Sequence, residues 1–272
     1  MKKFDVDVLR RTARNTKMNL GNAEKDYVLS AALSKMVETK LAEKLVFKGG
    51  TCIKKIYFPE FRFSSDLDFS LIQEKDWIQE IRKAFENKTV EGVRFTKVKR
   101  LERTKENVAL TIQYESQISE PGHVDSIRVE ITRENPLLMK PKNQPVRNPK
   151  DYDLPEIRLP CMQLEEIFAE KIHAVYNRPK SRDLYDVDFL LAQNVKPDKR
   201  LIEKKLALIS TKLTLESFKE RMRILEPHWE RDLKQVMAEA PDFEETTQRV
   251  IEKLPFNTLR GSPKRFGGAS WN

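Results

Sequence analysis

KGGT at 48–51, followed at 62–70 by RFSSDLDFS, is the stretch on which the reading of this chain turns. Asp66 and Asp68 stand at i and i+2. On an extended strand, whose side chains alternate between faces, both carboxylates therefore emerge on one side. Leu67, Phe69 and Leu71 take the other parity, which predicts an apolar face opposite one carrying Asp66, Asp68 and Ser70. Two like charges held that close call for a cation. Just upstream, Gly49 and Gly50 let backbone amides approach a phosphate, and the helix start after Thr51 favours an anion. A phosphate cradle beside paired carboxylates predicts nucleotide chemistry.

Composition sets the frame around this stretch. The 272 residues suffice for one large domain or two small ones, and 39% hydrophobic with 34% charged residues fits a soluble, helix-rich protein. Lys and Arg outnumber Asp and Glu by 51 to 42, a net charge of +9 with a pI near 9.3, so a polyanionic partner is expected. A basic surface without a partner is the alternative. Cys52 and Cys161 have neither disulfide-framework nor zinc spacing and are read as small packing residues. No run approaches the ~18 apolar residues of a membrane span, and the N-terminus lacks a signal-peptide core, so the cytoplasm is the expected compartment.

Working outward, Asn22 to Glu43 reads as an amphipathic helix capped at Asn22, and Leu45 to Phe47 as a strand entering the glycine turn. Thr51 to Ile56 predicts a brief helix, Asp66 to Ile72 a strand and Lys75 to Asn87 a helix. Strands are then expected over Gly92 to Leu101, Val108 to Tyr114 and Ser126 to Ile131. From Asn135 to Pro160 recurrent prolines exclude continuous helix and a central strand, which marks a boundary. Beyond it the pattern is helical. The expected organisation is an α+β unit over 1–135, a Pro-rich linker over 136–160, a helical domain over 161–260 and a flexible tail over 261–272.

Two further constellations carry chemistry. In IRVEITRE, Glu130 falls on the polar face of a strand and would complete a three-carboxylate site with Asp66 and Asp68, the oxygen set preferred by hard divalent cations. In the segment 167–191, Lys171 sits beside a helical apolar stripe and needs a carboxylate or phosphate nearby. Lys171→Met is accordingly expected to preserve or raise stability while weakening triphosphate binding. Ser181 is expected to cap the next helix, on which Asp183 and Asp186 are i, i+3 neighbours and Arg182 pairs with Asp186. The competing structural reading is a helical hairpin laced by Lys171, Arg178, Arg182, Asp183 and Asp186. The basic run Lys97 to Arg103 is read as a solvated face that could touch RNA phosphates.

Taken in order, KGGT with RFSSDLDFS, IRVEITRENPL, and AEKIHAVYNRPKSRDLYDVDFLL resemble the AbiEii-type nucleotidyltransferase toxins of type IV toxin–antitoxin systems, within the DNA polymerase β-like superfamily. The resemblance implies a nucleotidyltransferase mixed sheet with helices, followed by a helical C-terminal domain. It implies transfer of a nucleotide from an NTP, with Mg²⁺ or Mn²⁺, onto an RNA acceptor, in relatives tRNA, and a cognate antitoxin. By position, Gly49, Gly50 and Thr51 match the phosphate-binding turn, and Ser64 and Ser65 the serines leading into the acidic strand. Asp66 and Asp68 match the metal-binding pair, and Glu130 the third metal ligand. Lys171 matches the lysine that meets the triphosphate, and Asp183 and Asp186 the acidic motif of the following helix.

The expected function is therefore metal-dependent nucleotide transfer to RNA, as the toxin of a toxin–antitoxin or phage-defence module. The alternatives are transfer to a small molecule such as an aminoglycoside, which the positive charge disfavours, and a catalytically silent binding protein. The joint presence of Asp66, Asp68 and Lys171 argues against the latter.

Overall fold

The computed structural model describes residues 5–16, 18–74, 77–104, 107–133, 136–237 and 239–256. The tail expected over 261–272 lies outside them. The chain falls into two compact units, one of residues 1–168 with 233–240, the other of residues 169–232 with 241–272.

The first unit opens with α1 (Val6–Thr16) and α2 (Leu20–Glu38). Asn19, not Asn22, caps α2: its side chain accepts from Asn22 N at 2.7 Å. The helix stops at Thr39, because Lys40 adopts a left-handed backbone, φ 60°. α2 is buried continuously from Asp26 to Ser34 and on nearly every side, as befits a central helix with little amphipathic contrast.

Next come β1 (Leu45–Lys48), the short α3 (Gly49–Cys52) running on as a π turn over Ile53–Tyr57, β2 (Asp66–Leu71) and α4 (Trp77–Phe85). β3 (Lys88–Val90), β4 (Val93–Arg103), β5 (Asn107–Glu115), β6 (Val124–Thr132), β7 (Lys142–Pro145) and β8 (Arg158–Cys161) complete one eight-stranded mixed sheet, ordered β3-β4-β5-β6-β2-β1-β8-β7. β2 pairs parallel with β6 and β1 parallel with β8; the remaining pairs are antiparallel. Leu67, Phe69, Val129, Ile131, Leu110 and Ile112 form the apolar face, all at 1% exposure or less. The architecture is α+β, as the sequence pattern predicts.

The proline-rich stretch departs from expectation. It supplies β7 and β8, and β8 has neighbours on both sides. Val146 N–H donates to Ile157 O, and antiparallel hydrogen-bonded pairs alternate along the ladder. The pairs Asn143/Pro160 and Pro145/Arg158 thus fall where no ladder N–H is required between these strands. On the other side, pairing with β1 begins only after Pro160, through Phe47 with Cys161 and Met162 N–H to Phe47 O at 2.9 Å. Proline is tolerated because its missing donor is never called upon.

The second unit is helical. α5 (Leu164–Asn177) carries the chain into it, followed by α6 (Arg182–Ala192), α7 (Lys199–Ala207), α8 (Leu215–Leu225), α9 (Trp229–Lys234) and α10 (Phe243–Lys253). Asp198, Thr214 and Asp242 cap α7, α8 and α10 through their side chains. Ser181 does not cap α6; its hydroxyl donates instead to Leu225 O at 2.7 Å, and its own backbone is already helical.

Candidate active site

The glycine turn and the acidic strand are packed on each other. Gly49 has φ +78°, and a Cβ there would lie 2.1 Å from Asp68 Oδ2, so the Asp68 carboxylate occupies the space a side chain would need. A Cβ at Gly50 would lie 2.8 Å from Ser64 Oγ and 3.6 Å from an Arg62 guanidinium nitrogen. Thr51, fully buried, donates from its hydroxyl to Asp66 O at 2.5 Å. β1 and β2 run antiparallel with Lys48 opposite Asp68, which holds the turn directly at the level of the carboxylates. Ser65 Oγ lies 3.4 Å from Asp66 Oδ1. Gly49, Gly50, Thr51, Ser64, Ser65, Asp66 and Asp68 are thus brought together.

Both carboxylates are half-buried, while Leu67 and Phe69 between and beyond them are fully buried, as strand parity predicts. The parallel register sets Asp66 beside Arg128 and Asp68 beside Glu130, so Glu130 shares their face. Its carboxylate, however, is engaged by Arg128: Nε lies 2.6 Å from Glu130 Oε1, with a second guanidinium nitrogen 3.7 Å from Glu102. Among the described residues no three Asp, Glu, His or Cys side chains gather into a metal-ligating group. Asp66 and Asp68 nonetheless fit a hard divalent cation. They are oxygen donors at i, i+2 on one face, the donor type such a cation prefers. Ser70, next on that face, has a buried hydroxyl with no hydrogen-bond partner among the described residues.

Arg62 had no role in the sequence reading. Arg62, 7% exposed, has its guanidinium over the Phe61 ring at 5.1 Å and donates to Phe63 O at 3.0 Å, while reaching over Gly50. Only the length of the loop from 58 to 65 and its return to the turn reveal it. Cys52, inside the turn, is fully buried, as its reading as a small packing residue predicts. Burial first, then Cys161 and Asp68, push its thiol well above the ordinary value, which keeps it protonated.

The family model described as nucleotidyl transferase AbiEii toxin, type IV toxin–antitoxin system, matches residues 31–252. The chain belongs to the AbiEii nucleotidyltransferase toxin family. Among solved structures it is similar to MenT4, a nucleotidyltransferase toxin from Mycobacterium tuberculosis H37Rv. Identity is 21%, with a TM-score of 0.71 over 93% of this chain and 89% of that one. It is also similar to JHP933 from Helicobacter pylori, at 18% identity and a TM-score of 0.56 over 85% of this chain and 88% of that one. At these identities the structures establish the shared fold. No curated protein matches the chain. As an AbiEii toxin the protein is a nucleotidyltransferase with an NTP substrate, and an antitoxin partner is implied. No helix among the described residues is long and apolar enough to cross a membrane.

The second unit of this AbiEii toxin holds the remaining expected residues. Lys171 Nζ, on α5, lies 3.1 Å from Asp183 Oδ1 and 2.7 Å from Asp186 Oδ2, both on α6. Arg178 grips Asp183 through two nitrogens, at 2.8 and 3.1 Å. Both aspartates are fully buried. Burial alone would raise the Asp183 carboxyl, but the charges of Lys171 and Arg178 and their hydrogen bonds hold it well below the usual carboxylate range. Arg182, expected to pair with Asp186, makes no ion pair among the described residues. The helical hairpin is therefore laced as the structural reading foresaw, save for Arg182. That geometry also reverses the expectation for Lys171→Met. Removing the ammonium strips two buried carboxylates of a partner, which destabilises.

Proposed function

We propose that this toxin transfers a nucleotide from an NTP to an RNA acceptor, with tRNA the first candidate. In this reading Asp66 and Asp68 hold a hard divalent cation, Mg²⁺ or Mn²⁺. The observation carrying it is the close approach of the Asp68 carboxylate to Gly49. The Asp68 carboxylate lies against a left-handed backbone that favours glycine, an approach that supports reading the pair as ligands of a cation at the phosphate turn.

Gly49, Gly50 and Thr51 are assigned to the triphosphate, with the Ser64 and Ser65 hydroxyls beside it. Arg62 is added to this set because its guanidinium overlooks Gly50, and a fixed fork of donors suits phosphate oxygens. Thr51 keeps the turn in register with Asp66, and Lys48 offsets negative charge opposite Asp68. When bound, the cation supplies Lewis-acid stabilisation of charge developing on the transferred phosphate. Glu130 is the third carboxylate in register and serves as ligand once its side chain leaves Arg128. Lys171 is assigned to triphosphate charge, with Asp183 and Asp186 as its positioning residues. The +9 net charge supports a polyanionic acceptor over a cationic drug.

The test is incubation of purified protein with total tRNA, Mg²⁺ and each α-labelled NTP in turn. Label on RNA in at least one reaction, abolished by chelation, is the expected result. Label appearing only on added aminoglycoside, or transfer indifferent to chelator, would reject the proposal.

A further inference from the structure

A second charged feature of the first unit lies apart from the carboxylate site. A cleft of about 390 Å³ is lined by Arg82 on α4, Arg100 on β4 and Arg133 just past β6, over a floor formed by Trp77, Ile78 and Val108. Three elements distant in sequence thus deliver guanidinium groups to one concavity. Arg133 is oriented by Glu74, 2.7 Å away, whose side chain is 62% exposed. The side chains of Arg82 and Arg100 are exposed and make no ion pair or hydrogen bond among the described residues. Glu74 offsets one of the three charges, which leaves the cleft electropositive.

The cleft is not part of the carboxylate site. Arg100 pairs with Leu110, Leu110 with Val129, and Val129 with Leu67, and paired residues share a face. Arg100 therefore lies on the side of Leu67, opposite to Asp66 and Asp68. It also belongs to the basic run of β4, Lys97 to Arg103, for which the catalytic assignment has no use.

We infer that this cleft binds the phosphate backbone of the acceptor RNA, an inference that rests on RNA being the acceptor. Exposed guanidiniums without carboxylate partners match phosphate oxygens through paired donors, and the apolar floor accommodates a sugar or base edge between them. A contact on this face sets acceptor affinity and leaves the handling of the NTP to the glycine turn.

The test is the double variant Arg82→Gln/Arg100→Gln, with Arg82→Glu alone as a second probe. Both positions are exposed, so thermal melting should match wild type. RNA affinity is read by anisotropy of a fluorescein-labelled single-stranded oligoribonucleotide over a salt series, and NTP affinity by calorimetry with a non-hydrolysable analogue. Loss of two phosphate contacts predicts about 25-fold weaker RNA binding at 0.1 M salt and a log–log salt slope shallower by about 1.4. NTP affinity should be unchanged. Wild-type RNA binding that is equally tight and equally salt-sensitive in the variant would overturn the cleft assignment alone. Failure of the wild type to bind RNA at low salt would overturn the RNA acceptor itself. Unchanged RNA binding with weakened capture of the purified antitoxin would assign the cleft to an acidic protein instead.

Discussion

Lys171→Met provides the sharpest energetic test of the second unit, because its sign depends on the observed pairing. In the wild type the ammonium, 10% exposed, bridges Asp183 at 3.1 Å and Asp186 at 2.7 Å, and both carboxylates have no exposure at all. Methionine fills similar volume but supplies no charge. Asp183 retains Arg178, whereas Asp186 loses the ammonium 2.7 Å from its carboxylate. Breaking one side of a buried ion pair costs about 3–5 kcal/mol, and the remaining Arg178 contact argues for the lower half of that range. Chemical denaturation of wild type, Lys171→Met, Asp186→Leu and the double variant would measure this directly. The double variant should recover much of the loss, since two apolar groups replace the pair without leaving a buried charge. A Lys171→Met protein as stable as wild type would refute the account of this cluster. So would additivity of the two single changes.

Further outcomes follow from the same geometry. Gly49→Ala must both adopt φ +78° and displace the Asp68 carboxylate, so it should lower stability by about 1–2 kcal/mol from the backbone alone. It should also abolish nucleotide transfer; an active, normally stable variant in denaturation and transfer assays would contradict the packed turn. Asp183 has its folded pKa depressed, so its stabilisation is present above the ordinary carboxylate range and is lost as pH falls below about 4. Asp183→Asn should remove that acid-side loss, measured as the difference in unfolding free energy between pH 7 and pH 3.

Much of the first unit was legible because a strand buried on one face writes its register into alternate residues. Asp66, Leu67, Asp68 and Phe69 declare both strand and polarity, and β2 appears over Asp66–Leu71 where the alternation predicts it. The packing of the glycine turn on that strand was implied by chemistry alone. Its tightness depends on register between β1 and β2, which no local pattern encodes. β7 and β8 were hidden because proline statistics describe average strands, whereas these place their prolines at positions without a ladder donor. Lys171 was recognisable as a cation on an apolar stripe. Its partners were ambiguous, since either a phosphate or the next helix could supply the anion, and only the turn at 178–181 decides where Asp183 and Asp186 arrive. Arg128 escaped notice as the residue that engages Glu130, because i, i+2 neighbours on a strand face are seldom weighed as ion pairs.

The central claim is that the carboxylates packed on the glycine turn form the site of nucleotide transfer. Its most direct measurement is single-turnover transfer of α-labelled nucleotide to RNA by wild type and Asp68→Asn, with circular dichroism to verify the fold. Asp68→Asn keeps the shape of the side chain against Gly49 but removes its charge. The account predicts an intact fold and a rate lowered by at least about 100-fold, the scale expected when a group stabilising transition-state charge is lost. Near-wild-type transfer by the folded variant would contradict it.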